Sequence, residues 1–271
     1  MGVNSKGDKM KLSISNIAWS VEADGVMYEM MKEMGFTGLE IAPTRIFQQN
    51  PYEELSAAKN WSNLLFQKYR FFIPSMQSIW YGKQENIFGT EEEFKVLVEY
   101  TKKAVDFADT INCKSLVFGC PRNRNIPKGA DSLRGIKFFK EIADYALSKG
   151  RIIGMEANPP IYNTNYINDT LSAIELIKMI ESEGFKLNLD VGTMIHNDES
   201  IGLLKGNVGL ISHVHISEPR LKPIEKRKIH QELKELLMAE NYQGFVSIEM
   251  GKIEDLSEIK KIMEYVGSIF L

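Results

Sequence analysis

The chain has 271 residues, 44% of them hydrophobic and 25% charged, a globular balance that supplies a sizeable core and excludes a disordered or fibrous polymer. A net charge of -3 at pH 7, with acidic and basic residues interleaved, argues against a nucleic-acid surface, and no apolar stretch approaches the length of a membrane span. One domain suffices, because α/β barrels commonly run to about 250 residues as a single unit.

The opening MGVNSKGDKM is polar and lacks the apolar region of a signal peptide, so residues 1–10 are set aside as a disordered or artificial start. Residues 11–271 are assigned to one folded domain of a soluble, cytoplasmic protein. From there apolar, strand-like runs alternate with amphipathic helical stretches. LSISNIAW precedes a helix around Val26 to Met34, GLEIAP a helix from Leu55 to Tyr69, and RFFIPSMQS a helix from Glu91 to Ala108. SLVFGC precedes a helix from Ser132 to Ser148. Cys113 and Cys120, beside and at the end of that fourth run, are too far apart along an extended strand for a disulfide and are expected as buried or semi-buried thiols in a reducing compartment. The second half repeats the unit: IIGMEA and a helix from Thr170 to Glu183, KLNLDV and a short helix near Ser200 to Lys205, ISHVHIS and a helix from Lys226 to Glu240, then FVSIEM and a closing helix.

Strict strand–helix alternation implies a parallel sheet covered by helices, because parallel strands need crossovers. Eight such units predict a (β/α)8 TIM barrel. The competing open, doubly wound sheet would carry a glycine-rich phosphate turn after its first strand, and none follows LSISNIAW.

Four runs of the second half end on, or just after, a residue able to bind a divalent cation: Glu156, Asp190, His215 and Glu249. In a barrel the C-terminal ends of the strands converge on one mouth, so three carboxylates and one imidazole are expected to meet there. Such a donor set suits a hard to borderline divalent cation such as manganese, magnesium or cobalt, with zinc also possible. Each residue also has a structural reading; Asp190, followed by Gly192 and Thr193, can begin a turn or cap a helix. His213 and His215 are expected on opposite faces of their strand, with His215, nearer the mouth, as the one entering the barrel.

With that order of residues, Glu156 in GMEANPP, Asp190 in LNLDVGT, His215 in HVHISE and Glu249 in SIEM, the chain resembles the xylose isomerase-like barrels of the sugar phosphate isomerase/epimerase group, ketose 3-epimerases among them. The resemblance covers nearly the whole strand pattern. It implies that Glu156, Asp190, His215 and Glu249 hold one metal and that Glu156 and Glu249 also form the catalytic acid/base pair. The implied chemistry is proton transfer through an enediolate on a small sugar, sugar phosphate or polyol. Homo-oligomers are common in that group. An inosose-type dehydratase on the same metal site, and an endonuclease IV-like phosphodiesterase, are the alternatives; the second would need more histidines than the four present.

The sugar-contacting positions depart from the epimerase pattern. Thr193 stands where a histidine follows the strand-six aspartate, with His196 further on; Tyr162 replaces a glutamate, and Leu221, beside Arg220, replaces an arginine. Substrate contacts are therefore expected from Glu40, Gln77, Trp80, Arg122, Arg124, Asn158, Tyr162, His196 and Arg220, the arginines being suited to a phosphate or carboxylate.

Overall fold

Eight short strands make one parallel sheet: β1 (Lys11–Ser15), β2 (Gly38–Glu40), β3 (Ser75–Met76), β4 (Ser115–Phe118), β5 (Ile152–Glu156), β6 (Phe185–Asp190), β7 (Ile211–Ile216) and β8 (Phe245–Ile248). This is a computed structural model in which residues 10–271 are described. The sheet order is β2-β1-β8-β7-β6-β5-β4-β3. Parallel bridges Gly38↔Phe72 and Ile41↔Met76 bring β2 beside β3, so the sheet curls into the expected, nearly closed (β/α)8 barrel of one domain. The expectation for residues 1–9 lies outside the described residues. Met10 is buried and its backbone N–H donates to Phe270 O at 3.1 Å.

The helices are α1 (Asp24–Glu33), α2 (Pro43–Ile46), α3 (Leu55–Tyr69), α4 (Glu91–Thr110), α5 (Leu133–Ser148), α6 (Thr170–Ile180), α7 (Val191–His196), α8 (Lys228–Ala239) and α9 (Leu256–Phe270). Their starts are written in the sequence: Thr90 and Glu93 form a reciprocal capping box on α4, and Asp169 caps α6. The helix expected to reach Glu183 stops at Ile180, where Glu181 turns left-handed at φ 52°. The segment expected as a helix near Ser200 to Lys205 is a 3-10 turn, Ile201–Leu204, while α7 forms earlier. Six residues are too few for a periodic signal, and Asp190 supplies the cap that starts α7. Strand β3 is two residues long because Pro74, just before it, has no N–H to give a ladder.

Aromatic residues fill the layer between sheet and helices, with Phe118 ring-to-ring with Phe139 at 4.9 Å and with Trp80 at 4.7 Å. The barrel interior is polar. Ser13, Ser15, Ser75, Ser115, Asn188, His213, His215 and Ser247 are all buried there, and hydrogen bonds between non-adjacent strands span it: Ser115 to Ser212, Ser75 to His213, His215 to Glu40. Gly154 makes room, since a Cβ there would meet Ser212 Oγ at 3.1 Å and Ser115 Oγ at 3.2 Å.

Candidate functional site

Glu156 and Asp190 end β5 and β6, His215 sits one residue before the end of β7, and Glu249 follows β8. Asp190 lies opposite His215 in the sheet register. Each of the four offers one ligand atom, and these atoms lie within 4.8 Å of one another. His215 Nδ1 is 3.1 Å from Glu156 Oε1 and 3.1 Å from Glu249 Oε2. Glu156 is held at both oxygens by amides, Asn188 Nδ2 donating to Oε1 at 2.8 Å and Asn158 Nδ2 to Oε2 at 3.0 Å. Asp190 Oδ1 accepts from the Thr193 backbone N–H and Oδ2 from Ser217 Oγ. Both readings of Asp190 thus hold at once: it caps α7 and belongs to the cluster.

Crowding three carboxylates in a buried place changes their acidity. Burial, aided by Glu156, pushes Asp190 up to about 6. Burial likewise pushes Glu249 up to about 7, opposed by His215 and aided by Glu156 and Glu40. For His215 burial disfavours the charged ring, yet Glu249, Glu40 and Glu156 more than offset it and raise its pKa well above the usual value. The cluster therefore favours positive charge, which a divalent cation would supply. The donor set, three carboxylates and one imidazole nitrogen, fits such a cation in number, type and mutual distance.

A sequence profile described as the xylose isomerase-like TIM barrel matches residues 28–266. The chain belongs to that family. D-psicose 3-epimerases and related sugar isomerases and epimerases are prominent among the solved structures that share its fold, and this membership marks the xylose isomerase-like chain as an enzyme. The D-psicose 3-epimerase of Clostridium cellulolyticum H10 superposes with a TM-score of 0.71 at 18% identity, over 96% of this chain and 92% of the other. An AP endonuclease, family 2, of Brucella melitensis gives 0.73 at 18% identity, over 94% and 99%. The IOLI protein with a bound zinc atom gives 0.73 at 15% identity, over 97% and 99%. No curated protein matches the sequence. At such identities the likeness establishes the fold.

Above the cluster this xylose isomerase-like barrel opens into a cavity of about 200 Å³ lined by Gln77, Asn158, Tyr162, Glu218 and Leu221 together with Glu156, Asp190 and Glu249. Three residues expected at the substrate, Gln77, Asn158 and Tyr162, are there. The other six are not. Glu40 is fully buried below the cavity, where its carboxylate meets His213 and His215. Trp80 lies in the aromatic layer with its indole N–H on Thr101 Oγ1, because so large an apolar ring gains more from Phe118 and Phe138 than from water. Arg122 is exposed outside the lining. Arg124 is wholly buried, donating to Asn158 Oδ1 at 2.7 Å; it supports the amide that in turn holds Glu156. His196 ends α7 on the exposed face, and Arg220 is exposed, its left-handed backbone giving an N–H to Tyr162 Oη at 2.7 Å.

The expectation that His213 and His215 face opposite ways is overturned. Residues two apart share a face of a strand. Both imidazoles enter the barrel, with ring centroids 5.3 Å apart and perpendicular planes, and both reach Glu40. A register shift between β6 and β7 also turns Ser212 inward. Asn188, Ser217 and Gly119 were missed by sequence reasoning. Asn188 carried a signal, since it stands two residues before Asp190 and so must share its face. Glu218 also lines the cavity, but both of its oxygens are held by Arg227 at 2.7 Å.

Proposed function

We propose that this chain is a divalent-metal-dependent isomerase or epimerase of a small, unphosphorylated sugar or polyol, using Glu156 and Glu249 as its acid/base pair. The observation that carries the reading is the convergence of Glu156, Asp190, His215 and Glu249 at the floor of a cavity on the C-terminal side of the barrel. A bound divalent ion supplies Lewis acidity that polarises a substrate carbonyl and stabilises the enediolate. Manganese is the expected ion, and zinc is named with one of the similar structures.

The two glutamates reach the cluster from its two flanks, because β5 and β8 border the β6–β7 pair that carries Asp190 and His215. One carboxylate can then take a proton from a substrate carbon beside the carbonyl while the other returns it. Glu249, just past β8 on the opposite flank from Glu156, is the other member of the pair. Glu156, fixed by two amide donors, is matched to a single orientation. Among the described residues no lysine or arginine lines the cavity, so a phosphate would face carboxylates without a cationic side chain to receive it. Tyr162 and Leu221 offer one half-polar and one apolar wall in place of the epimerase glutamate and arginine. The phosphodiesterase alternative lacks its donors: His196 is exposed, and His230, on α8, is buried against Tyr265 of α9.

The test is proton exchange. Purified protein reconstituted with Mn²⁺ is incubated with a panel of ketohexoses and polyols in D2O. The expected result is deuterium at a carbon next to the carbonyl together with an epimeric or isomeric product, and a loss of about a hundredfold or more in Glu249→Gln. Unchanged exchange in Glu249→Gln sinks the acid/base assignment, and a product lighter by one water would reassign the site to a dehydratase.

A further inference from the structure

We infer that Glu40 is a positioning residue for the metal centre, holding the His215 ring with Nε2 protonated and Nδ1 turned to the ligand cluster. The inference rests on the metal reading above and concerns a side chain outside the four candidate ligands. Glu40 ends β2 with none of its surface exposed. One of its oxygens, Oε2, takes three contacts: Ser75 Oγ at 2.6 Å, His215 Nε2 at 2.8 Å and His213 Nε2 at 2.9 Å. A carboxylate so deeply buried persists only where donors compensate its lost hydration. Here the donors are a hydroxyl and two imidazoles, so the His215 proton facing Glu40 is fixed on Nε2.

The consequence falls on the other nitrogen. With Nε2 protonated, the Nδ1 lone pair of neutral His215 points at Glu156 Oε1 and Glu249 Oε2, both 3.1 Å away. Asn188 Nδ2 also approaches that nitrogen, at 3.2 Å, but its shorter bond goes to Glu156 Oε1, and a cation between Nδ1 and the two carboxylate oxygens would balance all three. The perpendicular His213 ring, 5.3 Å away centroid to centroid, packs against His215 and opposes a flip that would put ring carbons where its nitrogens stand. A carboxylate behind a ligating imidazole also raises its basicity toward the metal. The arrangement ties β2 and β3, which supply none of the four ligands assigned here, to β7, which supplies one. Glu40 is not part of the cavity lining.

The experiment titrates metal-free protein with Mn²⁺ and with Zn²⁺ by calorimetry, comparing wild type, Glu40→Gln and Glu40→Asp. Glu40→Gln is expected to weaken affinity tenfold to a hundredfold. Glu40→Asp retains the buried charge that folding accommodates but withdraws the oxygen by one methylene, and is expected to be about tenfold weaker. In the Zn²⁺-loaded wild type, ¹⁵N-edited NMR is expected to show a His215 Nε2–H with a strongly downfield proton that moves upfield in Glu40→Gln, a change that loss of stability alone would not produce. Affinity within twofold of wild type in either variant, or a Zn²⁺-loaded His215 protonated on Nδ1, overturns the inference. A wild-type protein that binds no divalent ion overturns the metal reading itself, and this one with it.

Discussion

Gly119 follows β4 and carries no chemistry, yet it decides where Glu156 can sit. A Cβ on Gly119 would come within 2.7 Å of Glu156 Oε2 and 3.5 Å of Asn158 Oδ1. A free carboxylate would swing aside at little cost, but this one is pinned by Asn188 and Asn158, and Asn158 in turn by Arg124. Gly119→Ala is therefore expected to leave the fold intact and to weaken divalent-metal binding by about tenfold or more, the range lost when a ligand's supporting contacts are disturbed. Calorimetric titration of the metal-free variant, with circular dichroism as the control for folding, checks this; wild-type affinity would show that Glu156 has room the structure does not give it. The same residue-scale logic explains why Arg124 reads as a surface cation in the sequence and is a buried one in the fold. Its charge is spent on an amide oxygen two bonds of contact away from the cluster rather than on an incoming anion.

At the scale of elements, the strand ends do two jobs that the sequence shows as alternatives. Asp190 closes β6, caps α7 through the Thr193 N–H and lends a carboxylate oxygen to the cluster. Asparagine caps a helix as well as aspartate does. Asp190→Asn is thus expected to keep α7 and to leave the stability of the metal-free protein within about 1 kcal/mol of wild type, by urea unfolding in EDTA. Metal affinity should fall by more than the roughly hundredfold that outer contacts command, because a direct ligand charge is removed. A large stability loss with metal affinity retained would assign Asp190 to the cap alone. The segment after β7 works in the same way. Arg220 and Leu221 both adopt left-handed backbone, φ 64° and 53°, and are held by Tyr162 Oη and by the Gly251 N–H on Leu221 O. That turn sends the arginine outward and the leucine into the cavity, which sequence spacing could not distinguish.

For the whole molecule the polar barrel interior makes stability a function of pH, and on the proposed function metal affinity follows it. Asp190 at about 6 and Glu249 at about 7 bind protons more tightly in the folded chain than in the unfolded one, so their contribution is complete below the ordinary carboxylate range and is lost as pH rises through those values. A divalent cation competes with those same protons and restores the loss. The gap in melting temperature between Mn²⁺-loaded and EDTA-treated protein should therefore widen steadily from pH 5 to pH 7.5. His230 pulls the other way: burial, with Arg227 adding, lowers it to about 4, so its contribution is present above the usual histidine range and lost as pH falls from about 6.5 to 4. It faces Tyr265 rather than the cluster, so it enters both members of the comparison equally and cancels. A gap that is flat or shrinks with pH would mean that the metal, if bound, does not displace these protons. Among the described residues no helix is long and apolar enough to cross a membrane.

The eight alternating units, most helix bounds and the four strand-end donors were legible in the sequence because each depends on near neighbours. An apolar run, a capping box such as Thr90 with Glu93, or a carboxylate that ends a strand declares itself within a few residues. The barrel then turns four separate strand ends into one cluster by symmetry alone. What surrounds the cluster was decided by contacts across the barrel. Glu40 and His215 meet from 175 residues apart, Ser75 and His213 from 138, and Arg124 disappears beneath Asn158, 34 residues on. A polar side chain in a strand is equally compatible with a wet mouth and a dry interior until closure of the sheet fixes which donors it will face. That is why Glu40, Arg124 and Trp80 read as substrate contacts and proved to be the buried frame of the site.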